Sequence, residues 1–104
     1  MLKIEWSIEK NEILKKSRDV CFEDVEVAIL EGNVIDITPH FNKQKYPNQN
    51  IMIVKFHNYI YYVPYVKDSQ KIFLKNIIPS RKYNKIYNKG LKWKMETTQK
   101  KKMS

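Results

Sequence analysis

The chain predicts an α+β fold, a twisted antiparallel sheet with two N-terminal helices and one C-terminal helix. Three observations predict it. Helix signals fill residues 8–31, the apolar period falls to two from Val34 to Ile78, and Pro79 then opens a further helical stretch. The element order read from these signals is β-α-α-β-β-β-β-α. With 104 residues there is room for one core, assigned to residues 1–90; residues 91–104 form a basic tail with no usable pattern.

Each element has a local cause. "LKIEW", from Leu2 to Trp6, alternates apolar and charged residues as a short half-buried strand does. Ser7 caps a helix from about Ile8 to Ser17, because its hydroxyl accepts from free backbone N–H groups; Ile13 and Leu14 are expected to face the core. "SRDV" reads as a turn. In "FEDVEVAILE", Phe22, Val25 and Ile29 fall on one face with Ala28, acids occupy the first turn, and Gly32-Asn33 stops the helix. Cys21 takes its capping position in a structural role.

"VIDIT" is the next strand, and "PHFNKQKYPNQN" is a long polar loop of the kind that carries function. "IMIVKF" and "YIYYVPYV" form a hairpin closed at His57-Asn58, since β-branched and aromatic residues dominate both arms. Pro64 cannot donate to a ladder, so its strand is bulged or locally at an edge. "VKDSQK" turns the chain into the last strand, "IFLKNII". Pro79 suits the first turn of a helix that runs to about Asn88, with Gly90 as its stop.

Charge is divided along the chain. Residues 1–36 carry nine acids and five bases, whereas residues 37–104 carry two acids and fifteen bases. A basic surface of that strength attracts polyanions, and nucleic acid is the commonest of these in cytoplasm. A solubilising tail accounts for part of the same charge. One cysteine excludes an internal disulfide and fits a reducing compartment, no apolar run is long enough to span a bilayer, and the N-terminus lacks a signal-peptide core. A cytoplasmic protein without membrane attachment is expected. There is no His/Cys/Asp cluster at metal-ligand spacing, no Ser-His-Asp pattern and no glycine-rich phosphate loop, which argues against metalloenzymes, triad hydrolases and kinases.

Three segments together carry a resemblance. "IEWSIEKN", "VCFEDVEVAI" and "IIPSRKYNKIY" resemble, in order and spacing, the opening, second helix and ending of the BrnT family of bacterial type II toxins, which have the RelE-like ribonuclease fold. The resemblance covers roughly residues 2–88. It implies a metal-independent endoribonuclease (an mRNA interferase) with no cofactor, silenced by an antitoxin of ribbon-helix-helix type, and meeting operator DNA only through the toxin–antitoxin complex. The family's usual Lys-His-Gly falls here on Ser17, Arg18 and Asp19, and its acid-acid-basic stretch falls on Asn48, Gln49 and Asn50. A non-catalytic RNA-binding relative is the alternative these departures leave open.

Metal-free RNA cleavage sets a ribose 2′-OH against the adjacent phosphate. It needs a proton acceptor, a stabiliser for the phosphorane and a donor to the leaving oxygen. Arg81 is the candidate for the phosphorane, since its planar fork holds two phosphate oxygens at once; an ion pair with Asp36 is its structural alternative. His40 can exchange a proton near neutral pH, and Lys75 or Lys16 supplies a cation in place of those missing. Lys43, Lys45, Lys82 and Lys85 are candidate phosphate contacts. Tyr46, Tyr62 and Tyr83 offer stacking faces or hydroxyl donors, although most tyrosines here must also fill the sheet.

Overall fold

A computed structural model describes residues 2–86 of the chain. The elements are β1 (Lys3–Trp6), α1 (Ile8–Arg18), α2 (Phe22–Leu30), β2 (Val34–Pro39), β3 (Asn50–Phe56), β4 (Tyr59–Lys67), β5 (Lys71–Leu74) and β6 (Ile78–Pro79). A last helix, α3, opens at residue 81 and is followed to residue 86. The expected helix end near Asn88, the stop at Gly90 and the 91–104 tail lie outside the described residues. The class is α+β, and no described helix is long and apolar enough to cross a membrane.

The sheet is mixed rather than purely antiparallel, which corrects the expectation. Its order is β1-β5-β4-β3-β2, with β6 alongside β4, and β1 runs parallel to β5. The cause is the two-helix crossover. It carries the chain from the β1 edge to the far β2 edge, and the antiparallel meander β2-β3-β4-β5 then walks back until β5 meets β1. The β3–β4 turn is as expected: His57 and Asn58 both have positive φ (53° and 59°), the conformation a tight type I′ hairpin requires.

A second correction concerns the last strand, which is broken into β5 and β6. Tyr65 pairs with Leu74 and Tyr62 pairs with Ile78, so the three residues 75–77 lie opposite two residues of β4. The break lies opposite Pro64, which has no N–H to offer; its C=O still accepts from Lys75 N–H at 2.8 Å. Bulges of this kind re-aim side chains. Two side chains satisfy the freed backbone: Asn76 Oδ1 accepts from Ile77 N–H at 2.9 Å, and Arg18 Nη1 donates to Ile77 C=O at 2.6 Å.

Two smaller corrections follow. Pro79 closes β6 opposite Tyr61 instead of entering the helix. Ser80 is the cap, with its hydroxyl accepting from Tyr83 N–H at 3.1 Å and its C=O from Asn84 N–H at 2.9 Å, so Arg81 is the first helical residue. On α1 the core positions are Asn11 and Leu14, three residues apart on one face, while Ile13 is 52% exposed. Asn11 earns its buried place by bonding: Oδ1 accepts from Phe22 N–H at 2.7 Å and Nδ2 donates to Glu23 Oε1 at 2.8 Å. The predicted Ser7 cap is present, accepting from Lys10 N–H at 3.2 Å.

Both faces of the sheet are covered. Leu14, Val20, Phe22 and Val25 pack with Met52, Val54, Val63 and Leu74 on the face under α1 and α2. The opposite face holds a smaller cluster of Ile51, Ile53 and Ile60, with Tyr62 and Tyr83 against it. α3 is fastened over that second face at Ile60, whose N–H donates to Asn84 Oδ1 at 3.2 Å and whose C=O accepts from Ser80 N–H at 3.0 Å.

Candidate functional site

A depression of about 380 Å³ opens on the second face. Alternation along β4 puts Tyr62 and Pro64 on this side and forms its floor. The 40–49 loop supplies His40, Phe41, Tyr46 and Gln49, and the bulged segment supplies Lys75 and Asn76, with Ile78 beyond. Four of the candidates named from sequence (His40, Tyr46, Tyr62 and Lys75) are thus brought together from segments distant in the chain.

The loop is folded on itself. Asn42 C=O accepts from Tyr46 N–H at 2.9 Å, Asn42 Oδ1 from Lys45 N–H at 3.1 Å, and Gln49 C=O from His40 N–H at 3.1 Å. The His40 and Tyr46 rings lie 4.5 Å apart. His40 Nδ1 accepts from Asn42 N–H at 3.0 Å, so the neutral ring carries its proton on Nε2 and offers a donor to the cleft. Asn76 is constrained in the same sense. Its Oδ1 is taken by Ile77 N–H, which leaves the NH₂ as the free end.

Phe41 joins this loop to the rest of the face. Its ring meets Tyr62 edge-on at 5.4 Å and stacks on Tyr83 at 6.3 Å, yet the side chain is 54% exposed. Two cations stand over rings of this group, Lys45 Nζ 5.3 Å from the Tyr46 centroid and Lys82 Nζ 5.9 Å from that of Tyr83, while Lys75 Nζ lies 5.3 Å from the centroid of Phe73, which lines a separate depression.

Arg81 is exposed on the first turn of α3 and lines no wall of the depression, but its helix is coupled to it through Tyr83 and Phe41. Among the described residues Arg81 makes no ion pair. The alternative partner, Asp36, instead accepts from Ile37 N–H at 2.9 Å. Lys43, in the 40–49 loop, and Lys85, on α3, are exposed and line no wall of the cleft. Lys16 is not brought here: it sits on α1, whose buried side packs on the opposite face.

Charge separates this depression from three others. Those carry Asp24 and Glu31, Asp68, or Glu5 and Asp68 in their walls, whereas among the described residues no carboxylate lines the cleft beside His40. Sequence reasoning missed Phe41, Gln49 and Asn76. Phe41 was visible as an aromatic residue set in a polar loop; Asn76 was not, because its exposure depends on the bulge.

Cys21 has a structural setting, as expected. Its thiol donates to Asp24 Oδ2 at 3.3 Å, and Asp24 Oδ1 lies 3.5 Å from His57 Nε2. The carboxylate stands between thiol and imidazole, so His57 is not placed to take the thiol proton. Burial pushes the thiol's pKa up, away from the thiolate needed for nucleophilic work.

Comparisons with family models, with curated proteins and with solved structures return no match.

Proposed function

We propose that this chain is an RNA-directed toxin of the RelE-like kind: a metal-independent endoribonuclease held silent in the cytoplasm by a ribbon-helix-helix antitoxin. The observation that carries the reading is a cleft lined by aromatic rings and Lys75 with no carboxylate among the described residues, with Lys45 over the Tyr46 ring of its wall and Lys82 over the Tyr83 ring behind Phe41. Unpaired bases stack on such rings while the backbone follows the positive charge. Carboxylates in the walls would repel that backbone.

In the proposed reaction a ribose 2′-OH gives its proton to solvent water and attacks the adjacent phosphorus, the bond to the 5′-oxygen breaks, and a 2′,3′-cyclic phosphate and a 5′-OH result. Arg81 holds the phosphorane's equatorial oxygens through its fork. His40 Nε2–H or Lys75 protonates the departing oxygen. Lys43, Lys45, Lys82 and Lys85 follow the strand on either side, Tyr46, Tyr62 and Tyr83 receive bases, and operator DNA is reached only through the antitoxin complex.

One observation favours a second reading, RNA binding without cleavage. With no carboxylate in the walls and His40 Nδ1 already engaged, the described residues give the 2′-OH proton no evident acceptor. Incubating the purified chain with end-labelled single-stranded RNA decides between them. Fragments with cyclic-phosphate ends, together with growth arrest on expression, are expected for the toxin; a mobility shift without fragments selects the binder. No shift and no fragments would remove both.

A further inference from the structure

We infer that the depression on the second face reads one unpaired guanine through its O6/N7 edge. The inference rests on the RNA-binding reading above and adds the substrate class that the same cleft selects; with His40 engaged by the base, the proton donor of the cleavage reading is Lys75.

Two groups of the lining are indifferent in water. An asparagine amide offers a donor or an acceptor by turning over, and a neutral histidine does so by changing tautomer. Here a backbone N–H bonded to the acceptor atom of each fixes which way the group stands. Asn76 Oδ1 is held by Ile77 N–H at 2.9 Å, and His40 Nδ1 by Asn42 N–H at 3.0 Å. The Asn76 lock is the firmer one. Ile77 is fully buried, so turning the amide over would set its N–H against an NH₂ group with no water to replace the lost bond. What these two lining residues keep to offer is a donor each, Asn76 Nδ2 and His40 Nε2–H.

A pair of locked donors recognises an edge made only of acceptors; Gln49 and the tyrosine hydroxyls of the lining can serve as donor or acceptor and do not oppose the choice. Guanine presents two adjacent acceptors, O6 and N7, on its Hoogsteen edge, whereas adenine presents N7 beside an N6 amino group. An adenine placed in the same way would turn that amino group towards a locked donor, leaving both unsatisfied. Discrimination therefore comes from repulsion of the wrong base as much as from attraction of the right one. The exposed Phe41 ring, already backed by Tyr83, provides the stacking face that holds the base in place.

The test uses fluorescently labelled oligouridylates of equal length carrying one central guanine, adenine, inosine or 7-deazaguanine, with binding followed by anisotropy. The guanine and inosine strands are expected to bind equally and about tenfold tighter than the adenine strand, with 7-deazaguanine in between. In Asn76→Asp, Oδ1 can still serve Ile77 N–H while the second oxygen replaces the donor, so the guanine-to-adenine ratio should fall to unity or below. The ratio is the readout, because the added charge weakens every strand alike. Equal binding of guanine and adenine strands would overturn the inference while leaving the RNA reading standing. An inosine strand that behaves like adenine would overturn the edge assignment, and failure of all four strands to bind would overturn both readings.

Discussion

The rings of Phe41 and Tyr83 lie 6.3 Å apart and within 22° of parallel, and that contact joins the 40–49 loop to α3 across the second face of the sheet. Phe41 gives up apolar area to water in order to stand there. Phe41→Ala should weaken single-stranded RNA binding by about tenfold, since stacking is worth roughly 1–3 kcal/mol per base. Its melting temperature should change little, because the ring lies outside the two buried clusters. A large loss of stability with unchanged RNA affinity would assign the ring to packing instead.

Asn11 is the polar group on which the helical layer turns. It is 4% exposed and satisfies both the Phe22 N–H that opens α2 and the Glu23 carboxylate. Asn11→Leu should cost on the order of 1–3 kcal/mol, the penalty for a buried donor left without its partner. Thermal unfolding should show this as a fall of roughly 4–8 °C for each kcal/mol in a domain of this size.

Glu23 adds a pH dependence. The hydrogen bond from Asn11 holds its carboxyl below the ordinary value of 4.5. A depressed carboxyl stabilises the fold above its unfolded pKa, and that contribution is lost as pH falls through the folded one. Stability of the natural chain should therefore decline more steeply below about pH 4.5 than that of Glu23→Gln. Parallel acid-denaturation curves for the two would refute the coupling.

Cys21 stands where a hydroxyl would cap better. Sulfur is a weak acceptor, so Cys21→Ser should stabilise α2 by about 0.5–1 kcal/mol through a stronger bond to a free N–H of the first turn. Because burial raises the thiol's pKa, alkylation of the folded chain at neutral pH should run slower than that of a free cysteine and speed up in denaturant. Fast alkylation of the native chain would contradict the setting described for Asp24 and Cys21.

Local chemistry was legible in the sequence wherever one residue decides it. Ser7 as a cap, the Phe22–Val25–Ile29 face with Ala28 and the His57-Asn58 turn all follow from side-chain type and spacing, and each is present, Ile29 packing half-buried against the core. Relations between distant segments were not. The parallel β1–β5 pair depends on where a crossover delivers the chain, and no periodicity in "LKIEW" records its neighbour. Ile13 and Asn11 show the same limit: hydrophobicity favoured Ile13 for the core, but two hydrogen bonds across to α2 gave the place to Asn11. In the cleft, His40, Tyr46, Tyr62 and Lys75 could be proposed from residue type. The outward-facing Asn76 amide required the break opposite Pro64.

Arg81 separates catalysis from binding most sharply. It is exposed and pairs with no described carboxylate, so both Arg81→Ala and Arg81→Lys should melt close to the natural chain. If the guanidinium holds the phosphorane, Arg81→Ala should cost on the order of 100-fold or more in cleavage rate with a smaller change in RNA affinity. Arg81→Lys should recover only part of the rate, because a lysine keeps the charge and loses the fork. If the residue merely grips a phosphate, alanine should instead weaken binding alone and reduce the salt dependence by about 0.7 in log–log slope, and lysine should restore it. Cleavage that survives the alanine substitution at full rate would remove Arg81 from the chemistry, and the proton donors of the His40 cleft would then be the residues to substitute next.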